Sequence, residues 1–411
     1  MRSRPRSFSP ATIVFLAGVS AALHVGKLPP AIPALRDALG ITLVQAGFLL
    51  SLVQLAGMAL GLAVGLATDG VGLKRSMVAG LLILSGASAL GGWARDASSL
   101  LVLRGVEGFG FLLATLPAPS LIRLLVPPQR LSLMLGVWGT YMPLGSACAL
   151  LLGPQFIASF GWQAWWWWLA AVSAGMAVWM AWKVPPDGHR RAGAEPNAAP
   201  DDHAHGPDGG WRERLRHTLT SSGPWLVALS FATYSGQWLA VIGFLPSIYA
   251  QAGLSGAATG ALTALAALIN IVGSLTSGRL LHRGVRAHVL LQISFTTMAL
   301  TALAAFGEVG GVGLPSTLRY AAVLMFSMVG GLIPGTLFSL AVRLAPTEHT
   351  VATTVGWMQQ LSSLGQFVVP PLVAWLASRA GGWQWTWVAT GACSVLGVLL
   401  AARIAREPIR R

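Results

Sequence analysis

His24 and Lys27 stand three residues apart in Leu-His-Val-Gly-Lys-Leu-Pro-Pro (residues 23–30), inside a run that is otherwise apolar from Ala11 to Leu35. Arg104 and Glu107 repeat that spacing in a second apolar run, and Glu107 is the one acidic residue of thirteen to fall in such a stretch. Three-residue spacing places each pair on one helix face, which allows Arg104 and Glu107 to form an ion pair. A charged side chain at the bilayer midplane costs about 2.5–3.5 kcal/mol on insertion scales, so ionisable residues there are functional candidates by default. Two kinds of chemistry are open to this set. Lys27, Arg104 and Glu107 carry a surplus of positive charge that favours an anion, and Glu107 or His24 is suited to carry a proton. Plainer readings stand beside these: Lys27 snorkelling to the headgroups, a purely structural Arg104–Glu107 bridge, and a His24 bonded to a backbone carbonyl.

Other chemistries lack the residues to perform them. There is no His-Glu-x-x-His, no Gly-x-Ser-x-Gly and no phosphate loop with its lysine, so we expect no enzyme, no cofactor and no metal site. The pair His203 and His205 sits in a polar stretch where histidines are ordinarily just solvated. Cys148 and Cys393 both fall in apolar stretches and read as small packing residues.

The elements that must position the four ionisable residues follow from composition. Of 411 residues, 54% are hydrophobic and only 10% charged, against roughly 25% charged in soluble domains. A bilayer crossing needs about 20 apolar residues, and twelve stretches qualify: 11–35, 43–67, 76–94, 98–122, 131–154, 164–183, 223–249, 257–278, 287–307, 318–342, 351–377 and 384–403. The formal charge of +14 would point to nucleic acid in a soluble protein, but here 21 of the 27 Lys and Arg lie in the two tails and alternate loops. That asymmetry predicts both termini in the cytoplasm and no nucleic-acid partner. Arg2, Arg4 and Arg6 before an apolar core have the outline of a signal peptide; an echo of the first stretch in the second half of the chain argues instead for a retained helix.

That echo divides the chain. Leu28-Pro29 matches Leu245-Pro246, the pair Gly136 and Gly145 matches Gly356 and Gly365 at equal spacing, and Gly-Trp-Gln follows each pair, at 161–163 and 382–384. We expect an all-α membrane protein of two pseudo-symmetric six-helix bundles, residues 1–184 and 223–411, with a substrate site between them at the midplane. Residues 185–222, rich in proline and acidic side chains, read as a cytoplasmic linker. Within it Trp211, Leu215 and Leu219 recur every four residues beside Arg212, Arg214 and Arg216, as in an amphipathic helix lying on the bilayer. Trp165 to Trp168 and Trp383 to Trp387, near stretch ends, read as interface anchors.

The loop "GLATDGVGLKRS" (65–76) resembles the signature loop of the major facilitator superfamily, with Gly65, Asp69, Gly72, Lys74 and Arg75 on the family pattern and Gly70 where an arginine is usual. "RGVEG" (104–108) is similar to a second family motif, and the corresponding loop "GRLLHRGVR" (278–286) has His282 in place of the aspartate. The drug-export subset of the family has glycine before a proline of the fifth span, where this chain has Met142 before Pro143; "LMLGVWGTYMPLG" and "LPPAIPALRDALGIT" look more like the cyanate and nitroimidazole transporter branch. The resemblance implies a secondary transporter working by alternating access in a bacterial cytoplasmic membrane, monomeric, with the signature-loop residues serving conformational change. Joined to the residue reading, it predicts proton-coupled uptake of a small organic or inorganic anion. Glu107 is then the expected proton carrier, and Lys27, His24, Arg104, Tyr141, Gln237, Asn270 and Gln360 the expected substrate contacts. A proton-antiport exporter of drugs or metabolites and a non-transporting membrane receptor or sensor are the alternatives.

Overall fold

A computed structural model describes residues 9–186, 211–347 and 350–407. His203, His205 and most of the linker lie outside the described residues, as does the side chain of Asp69. The chain is helical almost throughout: α1 (Pro10–Gly26), α2 (Leu28–Leu39), α3 (Leu43–Ser51), α4 (Leu55–Val71), α5 (Leu73–Gly91), α6 (Ala97–Thr115), α7 (Ala118–Leu125), α8 (Pro128–Trp138) and α9 (Tyr141–Lys183) form the first half. The short α10 (Trp211–Thr220) follows the linker, on the residues whose spacing predicts an amphipathic helix. The second half holds α11 (Ser222–Gln251), α12 (Gly256–His282), α13 (Ala287–Phe306), α14 (Ser316–Gly330), α15 (Leu332–Leu344), α16 (Val351–Ala380) and α17 (Thr386–Ile404), with one two-residue hairpin, β1 (Glu308–Val309) against β2 (Val312–Gly313).

Among the described residues eleven helical stretches are long and apolar enough to span a membrane, one fewer than the sequence predicts. The difference lies in α9, whose 43 residues would measure about 65 Å if straight, twice the roughly 30 Å of a hydrocarbon core. Gly161, at φ 85° and ψ 162°, breaks it. The chain doubles back there, so that Phe156 packs on Trp165 at 5.4 Å and on Trp168 at 5.8 Å. Only glycine takes that backbone conformation without strain. Two crossings separated by a one-residue turn restore the count of twelve.

Several helix starts are written locally. Thr42 and Gln45 form a reciprocal capping box on α3, and Asp96 caps α6 by accepting from Ser99 N at 2.8 Å and Ser99 Oγ at 3.0 Å, bonds that hold its carboxyl below the usual range. Gly72, at φ 103°, lets the signature loop turn between α4 and α5. Lys74 Nζ then donates to the carbonyls of Ala181 (2.8 Å) and Val184 (2.6 Å), tying the loop to the end of α9.

The two halves repeat each other in packing as in sequence. Gly145 of α9 sits against α1, where an added Cβ would lie 2.6 Å from Val19 O, and Gly365 of α16 sits against α11, where it would lie 2.1 Å from Ala232 O. One apolar core, with Leu35, Leu49 and Leu50 from the first half and Phe244, Val369 and Val373 from the second, joins the halves at the end of the bundle away from the linker. Two further cores fill the halves themselves, one around Met77, Leu81 and Met180, the other around Phe295, Phe326 and Leu337. Cys148 and Cys393 are free thiols, half-buried at the edge of the shared core.

Overpacking a tight backbone crossing destabilises by about 1–3 kcal/mol. Gly365→Val is therefore expected to lower the melting temperature of the purified protein in detergent clearly, whereas Gly86→Ala, at an α5 position with no neighbour within 4 Å, leaves it within a degree or two. Equal melting for both variants would contradict this account of the α11–α16 crossing.

Candidate functional site

The first helix is interrupted at the turn that bears its charge. Pro29 and Pro30 have no N–H, so the carbonyls of Val25 and Gly26 lose their helical donors and the helix lapses at Lys27, between α1 and α2. Other helices supply donors to this stretch of backbone. Arg104 Nη1 donates to His24 O at 2.6 Å, and Trp165 Nε1 donates to Lys27 O at 3.2 Å.

Around that break the structure assembles His24, Lys27, Arg104 and Glu107, all essentially sealed from solvent, at 0%, 0%, 2% and 1% exposure. Lys27 Nζ donates to Glu107 Oε1, to Ser88 Oγ at 2.9 Å and to His24 Nδ1 at 3.4 Å. The ammonium also stands 4.6 Å above the ring of Trp166. Arg104 Nη1 donates to Glu107 Oε2 at 2.6 Å, and Arg104 Nε to Leu49 O at 3.0 Å. Because an ammonium has only donors, His24 Nδ1 accepts, the ring proton lies on Nε2, and Nε2 donates to Ser173 Oγ at 2.7 Å. Ser88 Oγ in turn donates to Trp166 O at 2.9 Å. Arg104 Nη2 is buried with no partner among the described residues.

With His24 neutral, the cluster holds two positive charges and one negative. In so dry a site the Glu107 carboxylate is what makes either cation tolerable, since a buried charge without a partner is strongly disfavoured. The geometry differs from one expectation. Lys27 faces the interior of the first half, among α1, α5, α6 and α9, and not an open space between the halves.

The remaining predicted contacts stand elsewhere. Asn270 Nδ2 donates to Tyr234 Oη at 3.0 Å and to Ser327 O at 2.8 Å, and Trp238 Nε1 donates to Ser327 Oγ at 3.0 Å, an uncharged network inside the second half. Gln237 accepts from Ser394 Oγ at 2.9 Å, while its Nε2 has no partner among the described residues. Tyr141 stacks on Trp138 with centroids 4.4 Å apart. Gln360 crosses between the halves, donating to Met58 O at 2.8 Å and accepting from Leu62 N at 3.3 Å, and Gln54 donates to Gln366 Oε1 at 3.1 Å nearby. Gln360 thus serves as an inter-half tie in this conformation, not as the wall of an open cavity.

Sequence reasoning passes over Ser88 and Ser173 and misassigns Trp165 and Trp166. The two tryptophans are a correction: in place of the interface anchors that their position predicts, they are 0% and 1% exposed and roof the cluster, while Trp167 and Trp168 are about 40% exposed and face outward. The helical phase of the four carries that distinction, since 165 and 166 share the face of Trp162 and Leu169, both buried. The repeat carries a second signal. Counting twelve residues on from Gly161 and from Gly382 reaches Ser173 and Ser394, which bond to the polar residues of α1 and α11 respectively.

A family model described as Major Facilitator Superfamily matches residues 12–370. The cyanate transport protein of Escherichia coli (strain K12) is 26% identical over 97% of this chain and 97% of its own length. A 2-nitroimidazole transporter of the same organism is 26% identical over 90% of this chain and 88% of its own. Among solved structures, a bacterial homologue of the human lysosomal transporter Spinster, in an inward-facing and occupied conformation, superposes with a TM-score of 0.75 over 96% of both chains at 15% identity, a likeness of fold.

Removing one partner of a buried ion pair costs about 3–5 kcal/mol, and removing both far less. Glu107→Gln, which strands Lys27 and Arg104, is expected to lower thermal stability in detergent sharply, and Lys27→Met in the same chain to recover a large part of the loss. Melting curves of the single and double variants check this; a double variant as unstable as Glu107→Gln alone would show that the pair is not what holds the site.

Proposed function

This chain belongs to the Major Facilitator Superfamily, whose members are transporters and not enzymes, and on that premise we propose that it takes up small anions together with protons by alternating access. The observation that carries this reading is the sealed cluster of Lys27, Arg104 and Glu107, with its surplus positive charge and the unpartnered Arg104 Nη2. An anion that enters while the halves rock competes with Glu107 for Lys27 and finds in Arg104 a nitrogen with donors to spare. Cationic substrates meet the opposite field, because the cluster's one acid is already held by two bases. The E. coli relative named for cyanate handles an anion of this kind.

The remaining parts of the proposal rest on the charge distribution, the repeat and, for the monomer, the family. Both termini and the linker of residues 185–222 lie in the cytoplasm, the bundles of residues 1–184 and 223–411 rock about the shared apolar core, and the protein acts as a monomer. Gln360, Tyr141, Gln237 and Asn270 are offered to the substrate once the α4–α16 ties part. A second reading, an uncharged nitrogen heteroaromatic, is favoured by the Tyr234–Asn270–Trp238 network and by the relative named for 2-nitroimidazole.

Uptake of labelled cyanate, acetate and 2-nitroimidazole into proteoliposomes, with and without an inward proton gradient, tests both. We expect gradient-stimulated uptake of an anion that falls at least about tenfold in Lys27→Ala. That variant keeps Glu107 paired with Arg104. Uptake of 2-nitroimidazole alone selects the second reading, and undiminished anion transport by Lys27→Ala would sink the first.

A further inference from the structure

The groups that face His24 are few. Among the described residues, Lys27 from the break beyond its own helix, Glu107 and Arg104 from α6 and Ser173 from α9 meet it directly, while Ser20 of α1 touches Ser173, and Ser88 of α5 and Trp166 of α9 touch Lys27. Glu107 Oε1 stands 3.9 Å from His24 Nδ1, and the ammonium of Lys27 lies against both atoms. While Lys27 is there, it occupies the imidazole lone pair and one oxygen of the carboxylate at once. Its departure uncovers both.

We propose that His24, and not Glu107, carries the co-transported proton, with Ser173 as the residue that holds its ring in place, so that one proton moves with each anion. This rests on the anion-uptake reading above and assigns its coupling site. When the anion draws Lys27 away, Arg104 stays on the Glu107 carboxylate, three residues along the same helix, and keeps it charged. Nδ1 loses its donor in the same movement. A proton from solvent bonds to the Nδ1 lone pair, and the new N–H points to Glu107 Oε1. Nε2 keeps its proton and its bond to Ser173 Oγ, so the ring need not turn. Lys27 remains an ammonium throughout.

The charge count fixes the stoichiometry. Before loading, Lys27, Arg104 and Glu107 sum to one positive charge. After loading, the anion adds one negative and His24 one positive, and the sum is the same. A site this dry resists any change in net charge, so the anion without the proton, or the proton without the anion, is the disfavoured state. Among the described residues the second half has no counterpart to this relay: Phe244 stands before Leu245-Pro246 where Lys27 stands before Leu28-Pro29, and Ser394 meets the amide of Gln237, which takes no proton.

Two measurements decide the matter. In proteoliposomes loaded with [14C]cyanate from outside, one proton per anion gives about tenfold accumulation per pH unit of inward gradient, unaltered by an imposed potassium-diffusion potential. In His24→Gln any uptake that remains no longer follows the gradient, and in Ser173→Ala the pH profile shifts. Wild-type accumulation that responds to the potential, or a His24→Gln variant that still accumulates tenfold, overturns the proposal. Wild type that moves no cyanate at all counts against the transport reading instead. Nitrogen-15 NMR of the ring in the full-length protein, with the His24 signal identified by its loss in His24→Gln, needs no cargo. The wild-type ring is expected neutral with its proton on Nε2, and the ring in Lys27→Met doubly protonated at neutral pH. A ring that stays neutral in Lys27→Met refutes the relay on its own.

Discussion

Two cations and one carboxylate buried together, in a part of the molecule sealed from solvent, impose the constraint on which the first half depends. Lys27 cannot leave Glu107 without something else to neutralise it, and Glu107 cannot be lost without stranding both bases. The surroundings answer to that constraint. Ser88 and the face of Trp166 complete the shell of the ammonium, Leu49 O and His24 O complete most of that of the guanidinium, and both carbonyls come from helices that pack against α6. The cluster therefore binds α1, α3, α5, α6 and α9 into one body, and it does so through charge where the second half uses aromatic packing and neutral hydrogen bonds.

How much of this is legible in the sequence depends on how rare each residue type is in an apolar helix. His24, Lys27, Arg104 and Glu107 announce themselves because a charge in such a stretch demands a reason, and their three-residue spacings put each pair on one face. Ser88 and Ser173 do not. Serine is common in membrane helices, and these two find Lys27 and His24 across 61 and 149 residues of chain, a pairing that only the packed helices define. Trp165 and Trp166 mislead for a related reason: tryptophan near a helix end is ordinarily an interface residue, and the phase of the four-tryptophan run matters more than its position. The twelve crossings are readable from hydropathy. The one-residue turn at Gly161 is not, because a single glycine between two apolar runs looks like any other in a chain holding 49 of them.

The repeat shows which features belong to the scaffold and which to this site. Gly145 and Gly365 serve helix approach in both halves, Ser173 and Ser394 a bond from the sixth crossing of each half to its first, and a positive-φ glycine ends the fifth crossing of each, Gly161 in one and Gly381 in the other. Lys27 and its replacement by Phe244 break the symmetry. Phe244 packs on Trp383 at 4.9 Å within the core that joins the halves. One position thus carries the cation on one side of the molecule and the apolar seal on the other, an asymmetry that a shared backbone plan accommodates without change.

The break at Pro29 and Pro30 has a mechanical side. A continuous helix resists bending because each bend stretches its own backbone hydrogen bonds. In the first crossing the bonds that would resist are already missing where Pro29 and Pro30 leave the carbonyls of Val25 and Gly26 without helical donors, and side chains of neighbouring helices hold the nearby carbonyls of His24 and Lys27. Compliance is concentrated at the one turn that bears the ammonium. A tilt of α2 about that turn would change the distance of Lys27 from Glu107, and Pro33, which removes a further backbone donor one turn on, extends the soft stretch into α2.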